Sequence, residues 1–241
     1  MKYLTLVAAC AIAFTTASTA SAQNATPTSI MPLGDSLTQA DPGYRAPLFN
    51  KLTEAGFNVK FVGPKPANPK IPGSTAHAGF GGYTIGPGPS KADAWSGGKG
   101  NLFVNIDGWL KIQPDIVLLL IGTNEYFNIG TMQPGYKPDS EGPARLGALL
   151  DKIHAVSPKS TILVSSIMPV QWSKTFARGF NAAIPGVIVS RPYAAFVDLN
   201  ASTKFAVGDW SNDKLHPSDQ GYGKMADGWF EALKPVLSAH R

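Results

Sequence analysis

The chain of 241 residues is long enough for one domain or at most two small ones, and its 44% of hydrophobic residues excludes a globally disordered protein. Only 15% of the residues are charged, whereas about 25% is typical of globular proteins. The formal net charge is +5, but the basic residues are scattered along the chain. Neither a nucleic-acid-binding stripe nor a basic amphipathic helix is therefore predicted.

Residues 1–22 have the pattern of a secretory signal peptide, with a positively charged start, an apolar run over 4–14 and a small-residue cleavage site ending at Ala22. The apolar run is too short to span a membrane, and no later segment reaches the required ~18 apolar residues. We therefore expect a secreted protein whose residues 23–241 form a single domain. Cleavage also removes Cys10, the only cysteine of the chain. Thiol catalysis, cysteine zinc sites and thiol redox chemistry are thereby excluded.

Short apolar runs alternate with helical patterns along the rest of the chain. In chain order, the predicted elements are a strand over 30–33, a helix over 44–55, a strand over 58–62, a strand over 116–121, a helix over 143–156, a strand over 161–167, a helix over 175–184, a strand over 195–199 and a helix over 219–237 with Ser218 as N-cap. This alternation predicts a three-layer α/β/α sandwich with a central parallel sheet of about five strands. Ligands bind such sheets at the carboxyl ends of the strands.

Residues 63–100 interrupt the alternation of strands and helices, because they contain ten glycines and six prolines in 38 positions. Disordered linkers are poor in aromatic residues, whereas this segment contains Phe80, Tyr83 and Trp95. We therefore interpret it as a functional loop rather than a flexible insertion.

Ser36 lies in the segment Gly34-Asp35-Ser36-Leu37, directly after the first predicted strand. This position places its hydroxyl at the carboxyl edge of the sheet, where it can face a cleft. Taken alone, Ser36 is equally well explained as a helix cap.

Asp213 and His216 lie three residues apart, just before the last predicted helix. At this spacing the carboxylate can accept the imidazole N–H, which leaves the other ring nitrogen free to act as a base. A histidine beside a carboxylate is common in loops, so the pair alone is only suggestive. No pair of histidines has the spacing of metal ligands, and neither a metal nor a cofactor is predicted.

Asn124 follows the most apolar strand, and Gly82 lies in the glycine-rich segment. The asparagine side chain and the glycine backbone could both donate hydrogen bonds to a developing oxyanion. Each is an ordinary turn residue when taken alone. The Gly-x-Ser-x-Gly motif of α/β-hydrolases does not occur.

In this order, the four blocks resemble those of the GDSL, or SGNH, hydrolase superfamily, and the resemblance extends over 30–229. Ser36 lies in the first block, Gly82 in the second, Asn124 in the third, and Asp213 with His216 in the last. The segments 30–36, 43–45, 82–85, 114–124 and 216–226 are more specifically similar to acetylxylan esterases of the third carbohydrate esterase family. The resemblance implies a flavodoxin-like SGNH-hydrolase fold.

Two parts of the sequence depart from that branch. Glu125 stands where the branch often has aspartate after the asparagine. Residues 77–83 read His-Ala-Gly-Phe-Gly-Gly-Tyr, whereas the branch commonly reads His-Glu-Gly-His-Ser-Gly-Trp. The backbone donor at Gly82 is retained, but the preferred acyl group is left open.

The resemblance implies ester hydrolysis through an acyl-enzyme. Ser36 is the expected nucleophile, His216 the base, and Asp213 the residue that orients His216. The expected oxyanion donors are the Ser36 N–H, the Gly82 N–H and the Asn124 side chain.

The expected substrate is an acylated carbohydrate such as acetylated xylan, acted on by a monomer. Tyr44, Arg45, Tyr83 and Tyr126 are the candidate substrate-binding residues, with Arg45 expected to support the site through hydrogen bonds rather than chemistry. Each aromatic residue is equally a core residue when taken alone. Two alternatives remain, namely another esterase of the superfamily (a lipase, lysophospholipase or thioesterase) and a non-catalytic carbohydrate-binding protein.

Overall fold

A computed structural model describes residues 26–86, 99–125, 138–170 and 174–239. The predicted signal peptide, Trp95 and the candidate Tyr126 lie outside these ranges. The strands are β1 (Thr28–Gly34), β2 (Val59–Phe61), β3 (Ala78–Gly79), β4 (Ile116–Leu120), β5 (Thr161–Ser165) and β6 (Ala194–Val197). The α-helices of the described ranges are α1 (Ser36–Gln39), α2 (Arg45–Glu54), α3 (Leu102–Trp109), α4 (Pro138–Val156), α5 (Lys174–Ile188), α6 (Leu199–Thr203) and α7 (Asp219–Ala239).

The strands form one parallel sheet in the order β2-β1-β4-β5-β6, and the short β3 pairs with the end of β1. Helices α2, α6 and α7 pack together on one side, and α3, α4 and α5 on the other. Every residue of β4 is buried, as expected for an apolar strand covered on both faces. The predicted three-layer sandwich is confirmed, and β3 adds a sixth strand.

The end of β1 positions the first candidate site residue. Gly34 pairs with Leu120 of β4, and a Cβ on Gly34 would lie 2.1 Å from the Leu120 carbonyl oxygen. Only glycine permits this approach. The strand ends there, and α1 begins two residues later with Ser36.

Helix α7 carries the chain away from the last candidate site residues. Ser218 caps it as predicted, because its hydroxyl accepts the Gly221 N–H at 3.3 Å. The helix continues past Pro235 to Ala239. None of the helices in the described ranges combines the length and apolarity needed to cross a membrane.

Helix α3 was not predicted. Asn101 caps it by accepting the Val104 N–H at 3.0 Å, and Leu102 and Ile106 are its buried residues. Two buried positions beside a glycine-rich segment give too weak a periodicity to indicate a helix. Helix α4 also begins five residues before the predicted start, so that Pro143 lies inside it.

Candidate active site

Ser36, His216 and Asp213 form a chain of hydrogen bonds at the carboxyl edge of the sheet. The Ser36 Oγ lies 2.9 Å from His216 Nε2. The other ring nitrogen, Nδ1, lies 2.6 Å from Asp213 Oδ2. The His216 side chain is 35% exposed, so the arrangement opens to solvent. With a proton on Nδ1, the imidazole can accept the serine proton at Nε2.

The turn around Asp213 holds its carboxylate in place. Asp213 Oδ1 accepts the Ser211 hydroxyl at 2.7 Å and the backbone N–H groups of Leu215 and His216, each at 2.9 Å. Although partial burial acts in the opposite direction, the hydrogen bonds from His216, Leu215 and Ser211 hold the pKa of Asp213 well below its usual range. Asp213 is therefore an anion that can orient His216 and stabilise its cation.

A buried ion pair anchors this turn to α7. Asp209 is fully buried, and its Oδ2 lies 2.7 Å from Lys224 Nζ. The Asp209 carbonyl also accepts the Ser218 N–H at 2.9 Å. The turn that carries His216 is thus fixed on both sides by α7 and its cap.

Asp35 lies directly behind the nucleophile and was not assigned a role from the sequence. It is 1% exposed and caps α1, with its Oδ1 accepting the Leu37 N–H at 3.0 Å. Its Oδ2 is buried and has no hydrogen-bond partner in the described ranges. Burial raises the pKa of Asp35 to about 7, although the Leu37 hydrogen bond and nearby His216 act in the opposite direction.

The glycine-rich turn after β3 lies against the nucleophile. The Phe80 N–H donates to the Gly34 carbonyl at 2.9 Å, and the Gly81 N–H donates to the Gln39 side chain. A Cβ on Gly81 would lie 3.7 Å from the Ser36 Cβ. Gly82 has a φ of +78°, in the left-handed region that favours glycine. Gln39 follows Ser36 by one helical turn, a spacing that sequence reasoning could have used.

Asn124 reaches the same turn from the end of β4. Its Nδ2 donates to the Tyr83 carbonyl at 3.0 Å, and the residue is half-buried. An amide nitrogen carries two hydrogens, so this bond fixes the side chain and leaves a second donor. The structure thus places Asn124 and Gly82 on the side of Ser36 where the Gly-Gly turn lies.

Tyr44 and Arg45 are both fully buried, so neither side chain is exposed to contact substrate, whereas the supporting hydrogen bonds that were expected of Arg45 are present. The Tyr44 ring packs on α7, with its centroid 6.4 Å from that of Trp229. Arg45 donates to the carbonyls of Thr38 and Ala40, each at 3.0 Å. Its hydrogen bonds thus brace α1, the helix that begins with Ser36.

Tyr83 is partly exposed beside the glycine turn. Its ring stacks on Phe80 with 5.0 Å between centroids, and Phe80 stacks on Trp109 of α3 at 4.1 Å. Phe80, Tyr83 and Trp109 thus form one aromatic cluster beside the glycine turn. The position of Trp109 in this cluster was not foreseen, because α3 was not predicted.

Glu125 explains one departure from the acetylxylan-esterase pattern. The residue is fully buried, and its Oε1 accepts the Ile85 N–H at 2.7 Å. Its Oε2 lies 3.5 Å from Arg145 Nη1 on α4. The longer side chain thus connects the segment after Gly82 to the end of β4 and to α4.

His77 stabilises the glycine-rich loop and is not part of the hydrogen-bonded chain that contains Ser36. It is 5% exposed, and its Nδ1 accepts the Gly79 N–H at 2.9 Å. Burial, followed by the positive charges of Arg45 and Lys65, lowers the pKa of His77 to about 4. The imidazole is therefore neutral near pH 7. In the described ranges, no group of three or more acidic, histidine or cysteine side chains could hold a metal ion.

The contacts described above supply Ser36 with a base and with an orienting carboxylate, as catalysis by an SGNH-type carboxylic ester hydrolase requires. Residues 33–224 match the GDSL-like lipase/acylhydrolase family, and the chain belongs to this family. The class and the family that the sequence motifs predicted are thereby confirmed.

The chain is similar to an esterase and, in structure, to proteins named as carbohydrate esterases. The chain is 31% identical over 234 residues to a multidomain esterase of Ruminococcus flavefaciens, a match that covers 87% of this chain and only 29% of that relative. The structure is similar to a family 3 carbohydrate esterase of Clostridium thermocellum, with 30% identity, a TM-score of 0.69, and coverage of 89% of this chain and 98% of that one. A carbohydrate esterase family 3 protein of Talaromyces cellulolyticus has a TM-score of 0.71 over 88% of this chain and 99% of its own, and its 24% identity shows the fold alone.

Proposed function

We propose that this protein is a secreted serine esterase that removes acyl groups, with acetyl preferred, from carbohydrates such as acetylated xylan. The observation that carries the proposal is the hydrogen-bonded chain from Ser36 through His216 to Asp213, with distances of 2.9 and 2.6 Å. The similarity to named carbohydrate esterases supports the substrate class, and the predicted signal peptide supports secretion.

The first half-reaction acylates Ser36. The serine oxygen attacks the ester carbonyl carbon while His216 Nε2 takes the serine proton. Asp213 stabilises the imidazolium that forms. When the tetrahedral intermediate collapses, the bond to the sugar oxygen breaks, and that oxygen takes the proton from Nε2. The products of this half-reaction are the free sugar hydroxyl and an acyl-enzyme.

The oxyanion of the intermediate is stabilised by donors around the glycine turn. These are the backbone N–H groups of Ser36 and Gly82 and the second hydrogen of the Asn124 amide. A donor of this kind contributes about 3–4 kcal/mol to lowering the barrier. The bond from Asn124 to the Tyr83 carbonyl holds the amide in place before substrate arrives, so little reorganisation is required.

The second half-reaction returns the enzyme to its starting state. A water molecule gives one proton to His216 Nε2 and attacks the acyl carbon. Collapse of this second intermediate breaks the bond to Ser36, whose oxygen recovers the proton from Nε2. The acyl group leaves as a carboxylic acid, which is acetate when the substrate carries acetyl groups.

A series of aryl esters of increasing chain length tests the acyl preference. The proposal predicts the highest kcat/KM for the acetyl ester and a steep fall toward longer chains. A rise of kcat/KM toward long chains would instead identify a lipase or lysophospholipase. The Ser36→Ala variant is the background control for every ester.

An organophosphonate inhibitor tests the role of the serine. The proposal predicts stoichiometric labelling, found by peptide mass spectrometry on Ser36 and abolished in the His216→Ala variant. Absence of labelling together with measurable glycan binding would favour the non-catalytic alternative.

A further inference from the structure

A cavity of about 430 Å³ opens beyond the carboxyl ends of β5 and β6. Its wall includes Pro169, which follows β5, and Asp198, which directly follows β6. Because all strands paired along the sheet are parallel, this cavity and Ser36 share one edge of the sheet. β6 lies three strands from β1, a distance of about 14 Å at the usual strand spacing.

Hydrogen bonds fix the walls of this cavity. The Asn181 side chain accepts the Ile167 N–H at 2.8 Å and donates to the Ile167 carbonyl at 2.9 Å. The Ser166 hydroxyl donates to Asp198 Oδ1 and accepts the Asn200 N–H, each at 2.9 Å. The cavity is therefore formed before any ligand arrives, and its volume lies within the ~300–1,000 Å³ range of small-molecule sites.

Two cations line one side of the cavity. Lys174 and Arg178 are four residues apart on α5, so they lie on the same face of the helix. Both are exposed, and neither forms an ion pair with any residue in the described part of the chain. Among the described residues of the lining, Asp198 is the one acid, and its Oδ1 already accepts the Ser166 hydroxyl and the Ala201 N–H. The lining therefore carries a net positive charge, and its two cationic side chains provide hydrogen-bond donors for a ligand.

The lining also contains an aromatic residue. Phe196 of β6 contributes a half-buried ring to it. A sugar ring has C–H faces that pack on such a ring and hydroxyls that bond to polar neighbours. A pyranose that carries an anionic group can therefore use both the cations and the aromatic ring.

We propose that this cavity is a subsite for a carboxylate-bearing sugar, a uronic acid unit on the same polysaccharide whose ester is cleaved at Ser36. The inference rests on the proposed function for the ester-bearing part of that polymer. Lys174 and Arg178 bind the carboxylate, and Phe196 packs on the sugar ring. The enzyme thereby prefers acetyl groups a few sugar units away from an acidic substituent.

Kinetics on paired oligosaccharides test the preference. Acetylated xylo-oligosaccharides with and without a uronic acid substituent are compared for the wild type and for the double variant Lys174→Gln/Arg178→Gln. The wild type should show a KM about tenfold lower on the acidic substrate, equivalent to about 1.4 kcal/mol. The double variant should lose this difference with an unchanged kcat and an unchanged rate on an aryl acetate. A preference that survives in the double variant would overturn the proposal.

A matched control separates the local effect from that of net charge. Lys111 and Lys159 are exposed and precede β4 and β5 at the opposite edge of the sheet. The double variant Lys111→Gln/Lys159→Gln removes the same charge and should retain the preference. Equal losses in the two double variants would show that only long-range attraction acts, contrary to the proposal.

Direct binding keeps the test independent of catalysis. The Ser36→Ala variant is titrated with a deacetylated oligosaccharide that carries a uronic acid, with its neutral counterpart and with inorganic phosphate. Tighter binding of the acidic oligosaccharide, lost in the Lys174/Arg178 variant, supports the subsite even if no ester of carbohydrate is hydrolysed. Equal binding of the neutral oligosaccharide, or competition by phosphate as strong as by the acidic one, would overturn it.

Discussion

Replacing Asp35 with asparagine should change how the stability of the protein depends on pH. The carboxyl is 1% exposed, one of its oxygens has no hydrogen-bond partner in the described ranges, and burial raises its pKa to about 7. Asparagine has almost the same shape and keeps an oxygen that can accept the Leu37 N–H. It cannot ionise, so the variant isolates the effect of the buried charge.

The sign and size of the effect follow from the shift. Because the pKa in the folded state lies above the ordinary value of 3.8, the folded protein holds the proton more tightly than the unfolded chain. The contribution of Asp35 to the free energy of unfolding therefore falls as the pH rises from about 4 through about 7. Raising the pKa from 3.8 to about 7 means that ionisation of Asp35 lowers the free energy of unfolding by at most about 4 kcal/mol. Asp35 interacts electrostatically with three other titratable groups, which are His216, Tyr44 and Tyr222.

Urea unfolding at several pH values between 4 and 8 measures the effect. The stability of Asp35→Asn relative to the wild type should rise by up to ~4 kcal/mol across this range. As a control, Asp107→Asn alters a carboxylate that is 60% exposed and should change stability by only about 0.5 kcal/mol at each pH. A difference between Asp35→Asn and the wild type that stays constant with pH would refute the reasoning.

Four further substitutions address an oxyanion donor, a buried ion pair and the loop histidine. Asn124→Ala should lower kcat by about 10²–10³ with little change in KM, because its donor acts on the transition state, and steady-state kinetics will measure this. Arg145→Met should lower the free energy of unfolding by about 3–5 kcal/mol, because it leaves the Glu125 carboxylate buried without its ion-pair partner. Glu125→Gln removes the carboxylate charge itself and should lower the free energy of unfolding by less. Denaturant titration of both variants can verify this. The pKa of His77 lies below its ordinary value, so the contribution of His77 to stability is lost as the pH falls from about 6.5 toward 4. Melting temperatures of the wild type and of His77→Gln should therefore converge, or change order in favour of the variant, as the pH is lowered over this range.

The parts of the fold predicted from sequence are those where a local pattern coincides with burial. The run 116–121 predicted β4 because an apolar strand covered on both faces needs no polar alternation. The positions of Ser36 and Asn124 followed from the same logic, since each lies within four residues of the end of such a strand. The spacing of Asp213 and His216 was informative because one short turn brings the two side chains together.

Contacts between distant segments could not be predicted. Tyr44 looks like a candidate ligand contact in sequence, but packing against α7 buries it. A supporting role was expected of Arg45, but the carbonyls to which it donates could not be named from the sequence. The ion-pair partner of Glu125 is Arg145, which lies twenty residues later in the chain on α4. The buried state of Asp35 likewise depends on how the whole sheet edge is covered, which no local pattern encodes.

Acetate release from acetylated xylan, measured for the wild type and for Ser36→Ala, tests the central claim most directly. We predict rapid release by the wild type, at a kcat/KM at least comparable with that on an aryl acetate, and a loss of several orders of magnitude in Ser36→Ala. Equal release by the two proteins would contradict the role of Ser36. Hydrolysis of the aryl acetate without release from the polymer would contradict the carbohydrate substrate.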